Sequence, residues 1–205
     1  MKHLVPAENT PRAQAYKLWM QSPMPMVTLT KTMNINHLVR YSRRHNLKLN
    51  MLMCYCIGKA ASSMEQFYLM PHKEGMMQYD SLAINVIVTN KDGGINSCDI
   101  HFTEDLQEFN RQYLALTKKA AETCMSSFLE EDMVVGTSTL VQTEIDSVIN
   151  QYTELFFNPM VMWGKYRKGF LKATLPISLQ YHHSQMDGTH GATFLAKLQE
   201  EIEKL

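Results

Sequence analysis

The residues best equipped for chemistry stand together in His182-His183-Ser184-Gln185-Met186-Asp187-Gly188. A neutral imidazole takes a proton from a hydroxyl as that oxygen attacks a carbonyl, and an ordinary imidazole is largely neutral near about pH 7. The segment follows a strand-like run and precedes a helix-like one, so it forms a strand-to-helix corner from which a histidine reaches into a cleft. Neighbours in an extended segment point to opposite faces, so only one of the two histidines can enter that cleft. One of His182 and His183 is thus the candidate base and the other structural. Asp187 has two possible tasks: to orient His183 and stabilise its imidazolium, or to pair with a cation and pin the corner. Gly188 lets the backbone turn.

Other groups are less specific. Lys165, Arg167, Lys168 and Lys172 form a basic stretch that could attract phosphates or could be a solvated hairpin. Tyr166 could stack on an adenine or simply pack. Cys54, Cys56, Cys98 and Cys124 lack metal or redox spacing; Cys54 and Cys56 in a helix would point about 200° apart. Neither G-x-G-x-x-G nor G-x-x-x-x-G-K-[ST] occurs, so dinucleotide-fold and P-loop chemistry have no support. The methionines, sixteen in all, read mainly as core filler.

The elements that must position these residues follow from periodicity. Residues 9–21 read as a first helix, with Asn9 or Thr10 as cap, Pro11 in the first turn, and Ala15, Leu18 and Trp19 on one face. Val27 and Leu29 mark a short strand, and Asn34 caps a helix ending at Asn46. The apolar run from Met51 predicts a buried helix to about Phe67. Residues 68–100 read as strands with a turn at Asn90-Lys91-Asp92-Gly93-Gly94, followed by a long amphipathic helix over 103–127. Strands are expected over 133–141, 159–166 and 170–181. A C-terminal helix over 188–205 presents Phe194, Leu195, Leu198 and Ile202. This order predicts an α/β two-layer sandwich, a mixed and largely antiparallel sheet with helices on one face.

With 205 residues and 45% hydrophobic composition, one domain spanning 1–205 is expected. Twenty basic and twenty acidic residues cancel, which announces neither a nucleic-acid groove nor a membrane patch and leaves a small molecule as the expected partner. The N-terminus lacks a signal-like apolar core, and no run approaches the roughly 18 apolar residues of a membrane span, so a cytoplasmic location is expected.

The corner carries more than its histidine. H-x-x-x-D-G with paired histidines, followed by His190 and Phe194 in D-G-x-H-x-x-x-F, resembles the chloramphenicol acetyltransferase family of coenzyme A-dependent acyltransferases. Phe156-Phe157-Asn158-Pro159-Met160-Val161-Met162-Trp163-Gly164-Lys165-Tyr166 is similar to that family's F-F-A-P-x-x-T-M-G-K-Y. Ser138-Thr139-Leu140 with Asp146-Ser147, Arg12, and Asp80-Ser81 after Tyr79 extend the likeness over nearly the whole chain. Condensation domains share the paired histidines but are about twice as long, and dihydrolipoyl acyltransferase cores share the motif without a lipoyl region being visible here.

The resemblance implies acetyl transfer from acetyl-coenzyme A to a hydroxyl acceptor, with no metal and no acyl-enzyme. His183 would be the base, Ser138 the donor to the oxyanion, and Arg12 the partner of Asp187 in fixing the corner. Lys165 and Tyr166 fall on the coenzyme A side, and Trp19, Val27 and Met162 on the acceptor side. It implies a homotrimer with each site between subunits, and a role in antibiotic resistance. Trp19 keeps an aromatic, but Val27 replaces a phenylalanine, Met162 a threonine, and about Asn150 a leucine. These changes predict an altered acceptor pocket, with another alcohol, an amine or a thiol as the alternative acceptor, and a binding protein without catalysis as the alternative class.

Overall fold

A computed structural model describes residues 1–205 except Glu154 and Leu171. The strands are β1 (Lys2–Val5), β2 (Met26–Asn34), β3 (Leu69–His72), β4 (Gly75–Tyr79), β5 (Leu82–Thr89), β6 (Ile95–His101), β7 (Met133–Leu140), β8 (Met160–Gly164), β9 (Arg167–Lys168) and β10 (Ala173–His182). The helices are α1 (Ala13–Trp19), α2 (Asn36–His45), α3 (Leu49–Ser62), α4 (Leu106–Thr123) and α5 (Gly188–Lys204).

The main sheet runs β2-β10-β8-β7-β5-β6, with β9 added to β10. β7 is parallel to β5 and β8, and the other pairs are antiparallel, which is the mixed sheet expected. Along β10 the side chains of Leu175, Ile177, Leu179 and Tyr181 enter the core with the helices, while Ser178, Gln180 and His182 point to the other face. Among the described residues that second face carries no helix. It is crossed by the segment between β7 and β8, where Val148 N–H donates to Ser178 Oγ at 2.9 Å and Asn150 O accepts from Gln180 Nε2 at 3.1 Å.

α3 is the centre of the core because its apolar run is hydrophobic on every side, from Met51 through Ile57 to Ala61. α2 and α4 are amphipathic, but Ile35 and not the expected Asn34 is the N-cap of α2, with no side-chain cap, and α4 is shorter than the 103–127 expected. Asn34 Oδ1 accepts from Asn36 N–H at 3.1 Å, and Asn46 closes α2 at φ 53°, a conformation asparagine tolerates. Asp105 caps α4 through the amides of Gln107 and Glu108. Phe194, Leu195, Leu198 and Ile202 of α5 are buried as their spacing predicts.

Some expectations need correction. The first helix is shorter than residues 9–21: a 3-10 turn over Ala7–Asn9 precedes it, and none of its residues is fully buried. β1 carried no signal strong enough to read; it is short and mostly exposed, and joins β4 and β3 in a separate small sheet. The strand expected from residue 170 begins at Ala173, and Leu171 lies outside the described residues. Cys54, Cys56 and Cys98 are buried free thiols, with burial pushing Cys54 up to about 12 and Cys98 to about 11. Among the described residues no helix is long and apolar enough to cross a membrane.

Candidate active site

β10 ends at His182 and α5 starts at Gly188, so the motif is the strand-to-helix corner expected. Asp187 is the N-cap of α5: its carboxylate accepts from the amides of Thr189 and His190, while its own N–H donates to His190 Nδ1. Burial alone would raise the Asp187 carboxyl. The His190 amide, the charges of His190 and Arg12, and the Thr189 amide outweigh it and hold the group below its usual range.

Arg12 closes the corner from the other side. Its guanidinium donates to His183 O at 2.8 Å and Ser184 O at 3.0 Å, and lies 3.4 Å from Asp187 Oδ2. A planar fork with several donors suits this three-way clamp, where lysine would not. Asp187 therefore faces Arg12 and the start of α5.

His183 N–H donates to Pro25 O at 2.8 Å, which holds its backbone beside the start of β2. Its ring lies flat against Trp19, with centroids 4.4 Å apart and planes within 4°. His183 Nδ1 is buried and has no hydrogen-bond partner among the described residues. His182 is different in kind. It is 1% exposed, accepts from Ser184 N–H at Nδ1, and meets the edge of Phe157 at 5.1 Å. Burial, and then the neighbouring His183, push its pKa down to about 4, so it stays neutral near pH 7.

The remaining residues named from the sequence are not gathered at this corner. Ser138 on β7 is in register with Met162 on β8, and Met162 with Ser178 on β10, so all three share the face without helices. Ser178 lies five residues before His183, which places the Ser138 row roughly 17 Å from the histidine along the strands. Val27 sits opposite Tyr181 and packs against the core. Lys165 and Tyr166 line a cavity of about 550 Å³ on the helix side, near Leu175 at the other end of β10.

The basic stretch is divided in the structure. Arg167 pairs with Glu144 and Asp146, and Lys168 Nζ lies 5.8 Å from the Tyr166 ring centroid. Sequence reasoning missed Lys48, which lines the Lys165–Tyr166 cavity from the start of α3. No local pattern marks it, because its place depends on how α3 packs.

The chain is 22% identical over 179 residues to chloramphenicol acetyltransferase 3 of Escherichia coli, covering 84% of each chain. It is also 22% identical over 206 residues to a chloramphenicol acetyltransferase of Clostridium butyricum, covering 97% of this chain and 93% of that one. A solved chloramphenicol acetyltransferase superposes with a TM-score of 0.83 at 16% identity, over 98% of this chain and 100% of the other. A probable dihydrolipoamide acetyltransferase from Listeria monocytogenes gives 0.72 at 12% identity, over 94% and 89%. A condensation domain of the enacyloxin polyketide synthase gives 0.52 at 10% identity, over 96% of this chain and 48% of that one, which fits the twofold difference in length. The family model for chloramphenicol acetyltransferase matches residues 4–199, and the chain belongs to that family.

Proposed function

We propose that the protein transfers an acetyl group from acetyl-coenzyme A to the hydroxyl of a small acceptor, with His183 as general base. The observation that carries this reading is the corner itself. A histidine with no structural partner at Nδ1 is held by an arginine clamp and a tryptophan face at the end of a buried strand. Positioning of this kind is what a base requires, because proton transfer depends on the imidazole sitting within hydrogen-bond reach of the reacting hydroxyl. The acceptor oxygen attacks the thioester carbonyl as His183 takes its proton, and the tetrahedral intermediate collapses with loss of the coenzyme A thiolate. His183 returns the proton, and no acyl-enzyme forms.

The oxyanion of that intermediate needs a donor, and Ser138 fills that role from a second copy of the chain. Its row lies roughly 17 Å from His183 within one chain, whereas a reacting carbon must lie close to both groups. A homotrimer with each site between subunits satisfies both demands. It also covers Ile149, Phe156 and Phe128, which are 79%, 70% and 66% exposed in the single chain. On the same reading the Lys48, Lys165 and Tyr166 cavity holds the nucleotide end of coenzyme A, with the lysines opposite phosphates and the tyrosine against adenine. The enzyme acts in the cytoplasm. Chloramphenicol, with resistance as the role, is the first acceptor to try; another alcohol, an amine or a thiol is the alternative.

The test is release of free coenzyme A thiol from acetyl-coenzyme A with chloramphenicol, comparing wild type with His183→Ala. Loss of roughly a thousandfold or more in the variant supports the base. Wild-type protein that binds an acceptor tightly but turns over none would favour a binding protein without catalysis.

A further inference from the structure

A second cavity, about 560 Å³, lies between the corner and the small sheet. Arg12 and Gln185 of the corner form one wall. The 3-10 turn Glu65–Tyr68 that follows α3, and Gln78, Tyr79 and Asp80 at the end of β4, form the others. Neither His183 nor Ser138 nor Lys165 is among its lining residues, so it is separate from the groups assigned to acyl transfer, apart from the Arg12 clamp. Its size suits a small molecule.

Gln185 is the group that the fold leaves unfinished. It is 1% exposed, its N–H donates to His182 O at 2.9 Å, and its Nε2 donates to Gln66 O at 3.0 Å. A carbonyl only accepts, so Gln66 O fixes which end of the carboxamide faces it and leaves Oε1 over. That oxygen is buried and has no hydrogen-bond partner among the described residues. A buried acceptor without a donor is costly, so a ligand that brings an N–H or O–H is favoured here.

The charges on the walls argue for a neutral ligand. Arg12 spends Nε, Nη1 and Nη2 on Ser184 O, Asp187 Oδ2 and His183 O, so it offers an anion no free fork, yet its guanidinium still repels a cation. Asp80 lies 3.4 Å from the Met1 amino group, and Glu65 adds an exposed carboxylate that repels an anion. The hydroxyls of Thr10 and Tyr68 already donate, to Ala7 O and Ser62 O. Asn9, Gln66 and Gln78 bring carboxamides, which both donate and accept, and Tyr68 and Tyr79 bring ring faces. A hydroxyl also donates and accepts. A ring of adjacent hydroxyls therefore satisfies these amides in either orientation and still has a hydrogen for Gln185 Oε1.

We propose that this cavity is a second binding site, for a neutral polyhydroxyl ligand of sugar size, with Gln185 Oε1 as its anchoring acceptor. The site is independent of the acyl-transfer reading, although its occupant lies against the arginine that clamps His183. A site built on hydrogen bonds rejects analogues that lack the matching groups, because its own polar atoms are then stranded.

Four probes share one ring: methyl glucoside, its cationic 2-amino form, its anionic uronate form, and tetrahydropyran-2-methanol without the ring hydroxyls. Their Kd values are read by ligand NMR titration of the full chain, without acetyl-coenzyme A. Methyl glucoside is expected to bind roughly tenfold or more tightly than each of the others. Gln185→Leu, checked for a native thermal melt, should raise its Kd about tenfold. If that variant does not fold, Gln78→Ala on the exposed rim takes its place, with a rise of about threefold expected. His183→Ala and excess chloramphenicol should leave the Kd unchanged, which separates this site from the reacting one whether or not thiol is ever released. No binding of methyl glucoside, equal binding of a charged form or of tetrahydropyran-2-methanol, an unchanged Kd in the variant, or displacement by chloramphenicol each overturns the proposal.

Discussion

The two adjacent histidines show how one residue step separates two fates. His182 ends the side-chain row that includes Ser178 and Gln180, and is sealed under Phe157. His183 leaves the strand and meets Trp19 at the mouth of the corner. Burial first, and His183 second, hold His182 neutral down to about pH 4. The unfolded chain protonates the same imidazole near about pH 6.5, so between these values the unfolded state binds more protons. Stability should therefore fall as pH drops from about 6.5 towards about 4, by up to about 3 kcal/mol. Denaturant midpoints across that window, in wild type and His182→Gln, measure it; an equally steep decline in the variant assigns the pH dependence elsewhere. The alternation that distinguishes the pair was legible in the sequence because it follows from extended geometry alone. Trp19 was less legible: its helical spacing placed it on an apolar face, yet the ring serves the His183 surface instead of the core.

At the scale of elements, the corner works because one carboxylate serves two partners. Asp187 starts α5 and answers Arg12, so helix and histidine are fixed together. Asp187→Ala removes both functions and should cost about 1–2 kcal/mol, lowering Tm by a few degrees. Asp187→Asn keeps a good cap and loses only the charge facing Arg12, so its Tm should stay near wild type while turnover still falls. If Asp187→Asn matches wild type in kcat, the Arg12 pairing does not position His183. α2, α4 and α5 were readable from periodicity and caps because those signals are local, and α3 from the length of its apolar run. β1 was not, since four mostly exposed residues carry no pattern until β4 pairs with them. The register joining Ser138, Met162 and Ser178 was equally hidden. It depends on pairing residues 16 to 24 positions apart, between strands brought together by the fold.

The whole molecule poses a problem that no single residue answers. His183 follows the C-terminal end of β10, whereas the Ser138 row crosses β10 at its middle, at Ser178, and the Lys165–Tyr166 cavity lies near its N-terminal end. The sheet is rigid and the separation, roughly 17 Å to the Ser138 row, is built from strand rise, so side-chain motion does not close it. On the proposed mechanism, a second copy presenting its Ser138 face to the first copy's histidine closes it. The consequence is measurable by mixing two variants, His183→Ala and Ser138→Ala, each expected to be nearly inactive alone. In a cyclic trimer formed at random from equal amounts, a boundary pairing the intact histidine of one variant with the intact serine of the other should occur at about a quarter of sites. Co-refolded protein should then recover up to about a quarter of wild-type thiol release, while the same proteins mixed after assembly recover none. Activity equal only to the sum of the two parents would place both groups, if both act, within one chain. That outcome would require a conformation in which the 141–158 segment no longer lies across the sheet, and so would overturn the trimer reading together with the assignment of Ser138.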